Sequence, residues 1–299
     1  MPCTRADETA VLDRMPDVPF GRQPAIVAGR LEFPPMSREA EGNPRPLAEL
    51  FDLSGKVAVV TGGSRGIGKS VVFGLASAGA DVVIASRKTD NCRAVAAEVE
   101  AVTGRKALAV GCDVGRWADC DALVDTVYAS FGRCDVFVSN AGMSPLYPDL
   151  SSVTEELYDK THAVNAKGPF RLGVRFGSRM ADAEGGSIIN VSASGSWRPQ
   201  STYVPYAMAK AGLNALTLAL AGAWSPKVRA NTVLPGPFET DIARAWPPER
   251  LSEISAANPL GRPGLPDDMV GVCVFLASDA ASYVNGTQIL VDGGAMRTL

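Results

Sequence analysis

The sequence has few of the residues from which metal sites and disulfide scaffolds are built. Its 299 residues include one histidine, His162, and its six cysteines form no Cys-x-x-Cys pair. Metal sites need clustered Cys, His or carboxylate ligands, so we expect no metal site and reduced thiols in a cytoplasmic protein. No apolar run reaches the roughly 18 residues of a membrane span. The first 50 residues also lack the apolar segment of a signal peptide.

The chain has no strong excess of either charge. Lys and Arg number 29 and Asp and Glu number 32, which gives a net charge of −3. Because the basic residues form no cluster, we expect no nucleic-acid partner. With 46% hydrophobic residues, the chain can bury the core of one large domain or two small ones.

Residues 1–50 differ from the rest of the sequence. They mix Pro, Arg, Asp and Glu without sustained helical or strand periodicity, and Met15 and Met36 offer alternative starts. We predict that this segment is a disordered or non-native N-terminal extension and that a single domain spans residues 51–299.

From residue 51 onward, apolar β-branched runs alternate with Ala-rich segments of helical spacing. Residues 56–63 and 81–87 read as strands, and residues 68–79 and 91–104 as the helices that follow them. Five further strand-like runs begin at residues 106, 134, 186, 227 and 287. Continuous apolar strands are typical of a parallel sheet covered on both faces. The pattern predicts an α/β fold: one doubly wound Rossmann-type domain with a seven-stranded parallel sheet and helices on both faces.

A glycine-rich turn, Thr-Gly-Gly-Ser-Arg-Gly-Ile-Gly, lies where the first strand meets the first helix. Its spaced glycines are Gly62, Gly66 and Gly68. A helix N-terminus presents free N–H groups and the positive end of the helix dipole to a phosphate. Glycines let the backbone turn sharply and approach that phosphate closely. Because the turn follows a strand and opens a helix, it predicts a dinucleotide site.

Tyr206 and Lys210 are four residues apart in a segment of helical character, so they share one helix face. The strand before this helix ends at the crevice where open α/β sheets bind ligands. A neighbouring ammonium and a positively charged nicotinamide favour the tyrosinate, and we expect them to lower the tyrosine pKa from ~10. The phenol can then exchange a proton with a carbonyl or alcohol oxygen as hydride moves.

These motifs and their order resemble the short-chain dehydrogenase/reductase family, in its Tyr-x-x-x-Lys type with a Thr-Gly-x-x-x-Gly-x-Gly loop. The resemblance covers residues 51–299, and Ser139 and Phe238 depart from the family pattern. Its further motifs are Asp113 in Cys-Asp-Val, Ser-Asn-Ala-Gly at 139–142, Asn165 in Val-Asn-Ala, Pro-Gly-x-x-x-Thr at 235–240 and Val-Asp-Gly-Gly at 291–294. It implies an NAD(P)-dependent oxidoreductase that interconverts a carbonyl and a secondary alcohol on a small molecule, with Tyr206 as general acid/base.

The resemblance also implies roles for individual residues. Lys210 holds the nicotinamide ribose, Asn165 anchors a water of the proton relay, and Thr240 with the Phe238 backbone seats the carboxamide. Helices around 154–181 and 205–223 resemble the family's subunit contacts, which implies a homotetramer or homodimer. The expected cofactor site comprises Gly62, Ser64, Arg65, Gly66, Ile67, Gly68, Arg87, Asp113, Val114, Asn140, Ala141, Gly142, Tyr206, Lys210, Pro235, Gly236, Phe238 and Thr240.

The residues after the second strand distinguish between the two nicotinamide cofactors. NAD enzymes carry an acid there that binds the adenosine ribose. This chain has Ser86, followed by Arg87 and Lys88, and Arg65 lies inside the glycine loop. Guanidinium groups bind a 2′-phosphate that a carboxylate would repel. We therefore predict NADP as the cofactor, with NAD as the alternative.

The serine that the family uses to polarise the substrate oxygen has no clear counterpart. It normally lies thirteen residues before the tyrosine, and that position is Ala193, flanked by Ser192 and Ser194. The spacing from Ser192 to Gly195 favours a slipped register with Ser192 in the site. We nevertheless predict Ser194 as the catalytic serine, because the glycine after it allows the backbone to turn and redirect its hydroxyl.

Two other functions stay open. Tyr203 and Lys210 have six residues between them, as in bacterial enoyl reductases, although those enzymes have another glycine loop and no tyrosine at position 206. The altered serine also allows a cofactor-binding scaffold or sensor with weak catalysis. In the family, the segment corresponding to residues 239–260 covers the substrate. With Trp246 it favours a medium-sized, partly hydrophobic ketone or alcohol.

Overall fold

The computed structural model describes residues 26–27, 30–31, 44–240 and 248–296. The chain divides into two compact units, Met1–Pro44 and Arg45–Leu299. In the first unit, Ile26–Val27 pairs antiparallel with Arg30–Leu31. Most of the predicted N-terminal extension lies outside the described residues. The second unit begins before the predicted boundary at residue 51 and includes a single helical turn, Leu47–Leu50.

A seven-stranded parallel sheet forms the centre of the second unit. Its strands are β1 Val57–Thr61, β2 Asp81–Ser86, β3 Ala107–Gly111, β4 Val136–Ser139, β5 Gly186–Val191, β6 Val228–Pro235 and β7 Gln288–Val291. Their order is β3-β2-β1-β4-β5-β6-β7, and all neighbours are parallel. The strand order reverses between β1 and β4, where open α/β sheets bind their ligands. The predicted doubly wound Rossmann-type fold is confirmed.

Helices connect the strands and cover the sheet. They are α1 Gly66–Ser77, α2 Thr89–Thr103, α3 Trp117–Phe131, α4 Glu155–His162, α5 Gly168–Asp182, α6 Val204–Ala223, α7 Pro248–Ala257 and α8 Val270–Ala277. A π-helical turn, Ala163–Lys167, joins α4 to α5. In the part of the chain that the structure describes, no helix is both long enough and apolar enough to cross a membrane.

Both faces of the sheet are buried in hydrophobic clusters. Val60 of β1 packs into one cluster with residues of α1, α2 and α8. Its neighbour Val59 packs into the other cluster with residues of α3, α5 and α6. Because successive strand residues point to opposite faces, a continuous apolar run such as Val57–Thr61 is what a doubly covered strand requires. Because all the strands are parallel, their carboxyl ends lie at one edge of the sheet, where the cleft described below opens.

Candidate active site

A cleft of about 630 Å³ opens at the carboxyl ends of the strands, around the point where the strand order reverses. Most of the residues predicted for the cofactor site meet there. Those that line the cleft are Gly62, Ser64, Arg65, Gly66, Ile67, Gly68, Arg87, Asp113, Val114, Asn140, Ala141, Gly142, Tyr206, Lys210, Pro235 and Thr240. Asn165, Ser194, Gly236 and Phe238 are not among the lining residues.

The glycine loop suits a bound phosphate for steric reasons. Gly62 has a φ of 68° and Gly66 a φ of 51°, values that only glycine adopts without strain. A side chain on Gly68 would overlap the carbonyl of Gly62. Among the described residues, no side chain caps the N-terminus of α1. The first N–H groups of this helix are thus directed at the cleft without a side-chain partner, which is the arrangement that binds a pyrophosphate.

Asn140 joins the ends of β1 and β4 beside this loop. Its Nδ2 donates to Thr61 O at 2.9 Å, and its backbone N donates to Thr61 Oγ1 at 3.1 Å. Ala141 N donates to the same hydroxyl at 3.2 Å. A side chain on Gly62 would lie 2.8 Å from Asn140 Nδ2. Asn140 therefore holds together the two strands between which the cleft opens.

The adenosine end of the cleft is cationic. Arg65, Arg87 and Lys88 all line it. The Ser64 hydroxyl donates to Ser86 Oγ at 3.0 Å, which ties the glycine loop to the end of β2. Among the described lining residues, the one carboxylate belongs to Asp113. No acid therefore lines the described part of the cleft directly after β2, and the charges there suit an anion.

Lys210 and Tyr206 lie on the first turns of α6. Lys210 is 3% exposed, and its Nζ donates to Val191 O at 2.7 Å, at the end of β5. Burial lowers the pKa of Lys210 to about 8. The same Nζ lies 5.8 Å from the centroid of the Tyr206 ring. A side chain on Gly142 would lie 3.0 Å from Asn165 Oδ1 and 3.6 Å from this ammonium, so Gly142 packs closely against Asn165.

The expected lowering of the Tyr206 pKa is not found in the protein alone. Burial raises the pKa of Tyr206 above its ordinary value, and the charge of a nearby Tyr203 phenolate raises it further. The desolvation of the phenolate is the larger of these two effects. An oxidised nicotinamide would add the second positive charge on which the expectation also depended.

Asn165 lies in the π-helical turn and is fully buried. Its Nδ2 donates to Met143 O at 2.8 Å and to Thr161 O at 2.9 Å, and its Oδ1 accepts from Met143 N at 3.2 Å. Both amide protons are therefore used within the protein. Asn165 holds the loop after β4, and π-turns of this kind are frequent at functional sites. Its side chain can accept one further hydrogen bond but cannot donate one to a relay water.

The two candidate serines differ in position and in bonding. Ser192 lines the cleft, but its hydroxyl donates to Lys210 O at 3.1 Å. Ser194 begins a 3₁₀ turn, Ser194–Ser196, and its hydroxyl bonds to no described residue. Ala193 between them is extended and 8% exposed. Ser192 therefore lies in the cleft, but its hydroxyl already donates a hydrogen bond. The Ser194 hydroxyl bonds to no described residue, but Ser194 does not line the cleft.

The two tyrosines at the start of α6 also have different surroundings. Tyr206 lines the cleft, and Tyr203 is not among the lining residues. The Tyr203 hydroxyl donates to Arg198 O at 3.3 Å, and the two rings meet edge to face at 6.4 Å. This placement favours Tyr206 over Tyr203 as the group that faces a substrate.

Two residues of the expected cofactor site, Gly236 and Phe238, are not among the residues that line the cleft. A side chain on Gly236 would lie 2.6 Å from Asp292 Cβ, which shows that this glycine packs against the end of β7. Phe238 is 6% exposed and belongs to the hydrophobic core. Pro235 and Thr240 do line the cleft. Of the predicted substrate segment, residues 241–247, including Trp246, lie outside the described residues.

Several lining residues were not predicted as site residues. They are Ala85, Asn91, Cys112, Ser144, Val164 and Val191. Residues that directly follow a strand of a parallel sheet reach the crevice, so Cys112, which follows β3, could have been identified by this rule. Asn91 and Val164 reach it from helical segments, and no sequence signal marks them.

Comparisons with known proteins agree with this geometry. The family model described as Enoyl-(Acyl carrier protein) reductase matches residues 62–296. A 2-dehydro-3-deoxy-D-gluconate 5-dehydrogenase of Pseudoalteromonas atlantica is 39% identical over 257 residues, which cover 84% of this chain and 99% of the relative. An L-rhamnose 1-dehydrogenase (NAD(P)(+)) of Azotobacter vinelandii is 40% identical, with coverage of 80% and 96%.

A solved structure gives the same result. The gluconate 5-dehydrogenase of Burkholderia cenocepacia in complex with NADP and tartrate is 32% identical, with a TM-score of 0.80 and coverage of 84% of this chain and 99% of that chain. Although the family model is described by an enoyl reductase, the relatives named here are dehydrogenases. The chain therefore belongs to the short-chain dehydrogenase/reductase family and is an oxidoreductase that acts on CH–OH groups with a nicotinamide cofactor.

Proposed function

We propose that the protein prefers NADP(H) and interconverts a secondary alcohol and a ketone on a small polyhydroxylated molecule, with Tyr206 as the general acid/base. The observation that carries this proposal is the meeting of Tyr206 and Lys210, at one end of the cleft, with a glycine loop and three cations at the other. The nicotinamide, when bound, supplies or accepts the hydride.

Tyr206 supplies the proton in the direction of reduction. Because burial raises its pKa, the phenol carries its proton at neutral pH and can donate it to a carbonyl oxygen that gains a hydride. In the direction of oxidation the same group, as the phenolate, removes the proton of the alcohol. The Lys210 ammonium, 5.8 Å from the ring centroid, stabilises the phenolate that forms when the proton leaves.

Asn165 and the serine segment support this step from two sides. Asn165 holds the loop that carries Met143 and Ser144 against the cleft. Ser194 is proposed as the donor to the substrate oxygen, because its hydroxyl bonds to no described residue. Such a donor acts on the charge that develops on oxygen in the transition state. Ser192 is the competing assignment, since it lies in the cleft.

The substrate class is suggested by the relatives. Those named above act on a deoxygluconate, a rhamnose and a gluconate, and the gluconate enzyme was solved with tartrate, a hydroxylated dicarboxylate. We therefore propose a sugar, polyol or sugar acid rather than a partly hydrophobic ketone. A panel of gluconate, threitol and rhamnose, matched with apolar secondary alcohols of similar size, would test this through the absorbance of the reduced cofactor.

The competing function is a cofactor-binding protein without catalysis, which the missing serine at position 193 favours. Tight NADP(H) binding without turnover of any alcohol or carbonyl in the panel would support it. Turnover that is abolished in Tyr206→Phe, with cofactor binding retained, would support the dehydrogenase instead. Turnover confined to the apolar alcohols would contradict the proposed substrate class while leaving the reaction class in place.

We also propose, from the family resemblance, that the protein is a homodimer or homotetramer. Three large apolar side chains are about half exposed on the two long helices expected at the subunit contact: Phe170 on α5, and Met208 and Leu218 on α6. Exposed apolar patches of this kind often mark interfaces. Sedimentation equilibrium would measure the assembly, and a monomer at micromolar concentration would contradict the proposal.

A further inference from the structure

The hydroxyl of Tyr147 joins two parts of the chain that are distant in sequence. Tyr147 ends the loop that follows β4. Its Oη accepts a hydrogen bond from Val204 N at 2.7 Å and donates one to Ser201 O at 2.8 Å. Val204 is the first residue of α6, and Ser201 belongs to the 3₁₀ turn before it. One phenol therefore uses both its donor and an acceptor position to hold the segment that leads to Tyr206.

The first turn of α6 depends on this contact. The N–H groups of a helix's first turn have no partner within the helix. In α6, Pro205 has no N–H, and among the described residues no side chain of the N-cap residue Tyr203 caps the helix. Tyr147 thus satisfies the first N–H of the helix, two residues before Tyr206. A half-buried N–H that loses its partner destabilises the turn to which it belongs.

The loop that ends in Tyr147 also forms one wall of the cleft. Met143 and Ser144 line the cleft, and Asn165 holds Met143 through its backbone N and O. The loop is therefore attached at its start by Asn165 and at its end by Tyr147, whereas Leu146 between them is 60% exposed. Without the Tyr147 hydroxyl, this wall and the first turn of α6 can move independently.

We propose that Tyr147 is a positioning residue of the reaction. Its hydroxyl fixes the first turn of α6 against the wall of the cleft, so that Tyr206 stays within reach of the substrate oxygen. This inference rests on the proposed role of Tyr206. Proton transfer requires a heavy-atom distance of about 2.6–3.2 Å, and a displacement of about 1 Å lowers rates by roughly 10²-fold. The glycine loop and the cations after β2 belong to other elements than α6, so most of the contacts expected for the cofactor should be unaffected.

Tyr147→Phe removes the hydroxyl and keeps the ring. We expect kcat to fall by at least about tenfold, and KM and the cofactor Kd to change by less than about twofold. The measurements are steady-state kinetics on the substrate found with the panel above and fluorescence titration with NADPH.

Thr103→Val is a matched control. The Thr103 hydroxyl also makes two hydrogen bonds, donating to Val99 O at 2.7 Å and accepting from Arg105 N at 3.2 Å. It lies at the end of α2, just before β3, and hence at the end of the sheet opposite to the cleft. Valine has nearly the same shape as threonine. This variant should lose stability as Tyr147→Phe does, but it should keep its kcat.

A double-mutant cycle distinguishes positioning from general structural support. If Tyr147 acts through Tyr206, Tyr147→Phe should lower the residual rate of Tyr206→Phe by less than about twofold. Additive losses would overturn the proposal, as would a single variant with normal kcat or one that loses cofactor binding as well. Where Tyr206→Phe is too slow to measure, the split between kcat and cofactor Kd decides. A fully active Tyr206→Phe would instead overturn the proposed function itself.

Discussion

Replacement of Lys210 by methionine should abolish activity and yet stabilise the fold at neutral pH. Lys210 is 3% exposed, and its burial lowers its pKa from the ordinary 10.5 to about 8. The lower pKa means that the charged ammonium is less stable in the folded protein than in the unfolded chain. The difference of about 2.5 pH units corresponds to about 3 kcal/mol of lost stability at pH values below 8. Methionine has a similar length and carries no charge into the interior.

The net gain is smaller than this figure because one hydrogen bond is lost. Lys210 Nζ donates to Val191 O at 2.7 Å, and a carbonyl left without its partner costs about 1 kcal/mol. We therefore expect Lys210→Met to raise the free energy of unfolding by about 2 kcal/mol at pH 7. Between pH 8 and about 10.5 the unmodified protein loses this penalty as the folded state releases its proton first, so its stability should rise there towards that of the variant.

Urea denaturation at fixed protein concentration, at pH 7 and pH 10, measures both effects. Lys227→Met is a useful control, since Lys227 is exposed and also donates to backbone carbonyls, those of Ala181 and Ala183, at 2.9 and 3.0 Å. This control should not gain stability at pH 7. A Lys210→Met protein that is less stable than the unmodified protein at pH 7, or a stability gain that is unchanged at pH 10, would refute the reasoning.

Three further outcomes are expected. Arg87→Asp should weaken NADPH binding by at least about tenfold and erase or reverse the protein's preference for NADPH over NADH, because a carboxylate repels the 2′-phosphate. Titrations with both cofactors measure this effect. Tighter binding of NADH than of NADPH by the unmodified protein would contradict the prediction. Tyr206→Phe should lower kcat by at least about 10²-fold with cofactor binding retained, whereas Tyr203→Phe should change kcat little. The reverse ranking would support the enoyl reductase hypothesis. Ser194→Ala should lower kcat far more than Ser192→Ala, by up to the ~3 kcal/mol of one oxyanion donor, and two near-neutral variants would show that no serine fills this role.

The number of strands and the position of the glycine loop along the chain follow from local patterns. The β1 run is five buried residues long, and Gly62 and Gly66 adopt positive φ where the motif requires it. Tyr206 and Lys210 share a helix face because of their spacing alone. These features depend on residues close in sequence, so the periodicity of apolar residues in the sequence predicts them.

The roles of Asn165 and Tyr147 depend on contacts between distant segments. Asn165 bonds to Met143, and Tyr147 bonds to Val204, which is 57 positions away. No spacing rule in a single sequence marks such a pair. The sequence predicts that Asn165 anchors a relay water, but it does not reveal the backbone groups that occupy both of its amide protons.

The sequence by itself determined the fold class, the crevice at which the cofactor motif lies and the tyrosine–lysine pair, because each is set by short-range periodicity and by the backbone freedom of glycine. Only the tertiary structure decided how these groups ionise and which of them are already engaged. Burial raises the pKa of Tyr206 and lowers that of Lys210, since desolvation depends on everything that packs around a group. The same packing uses the proton of Ser192 and leaves the Ser194 hydroxyl without a bond to any described residue, a distinction that two serines flanking one alanine could not reveal.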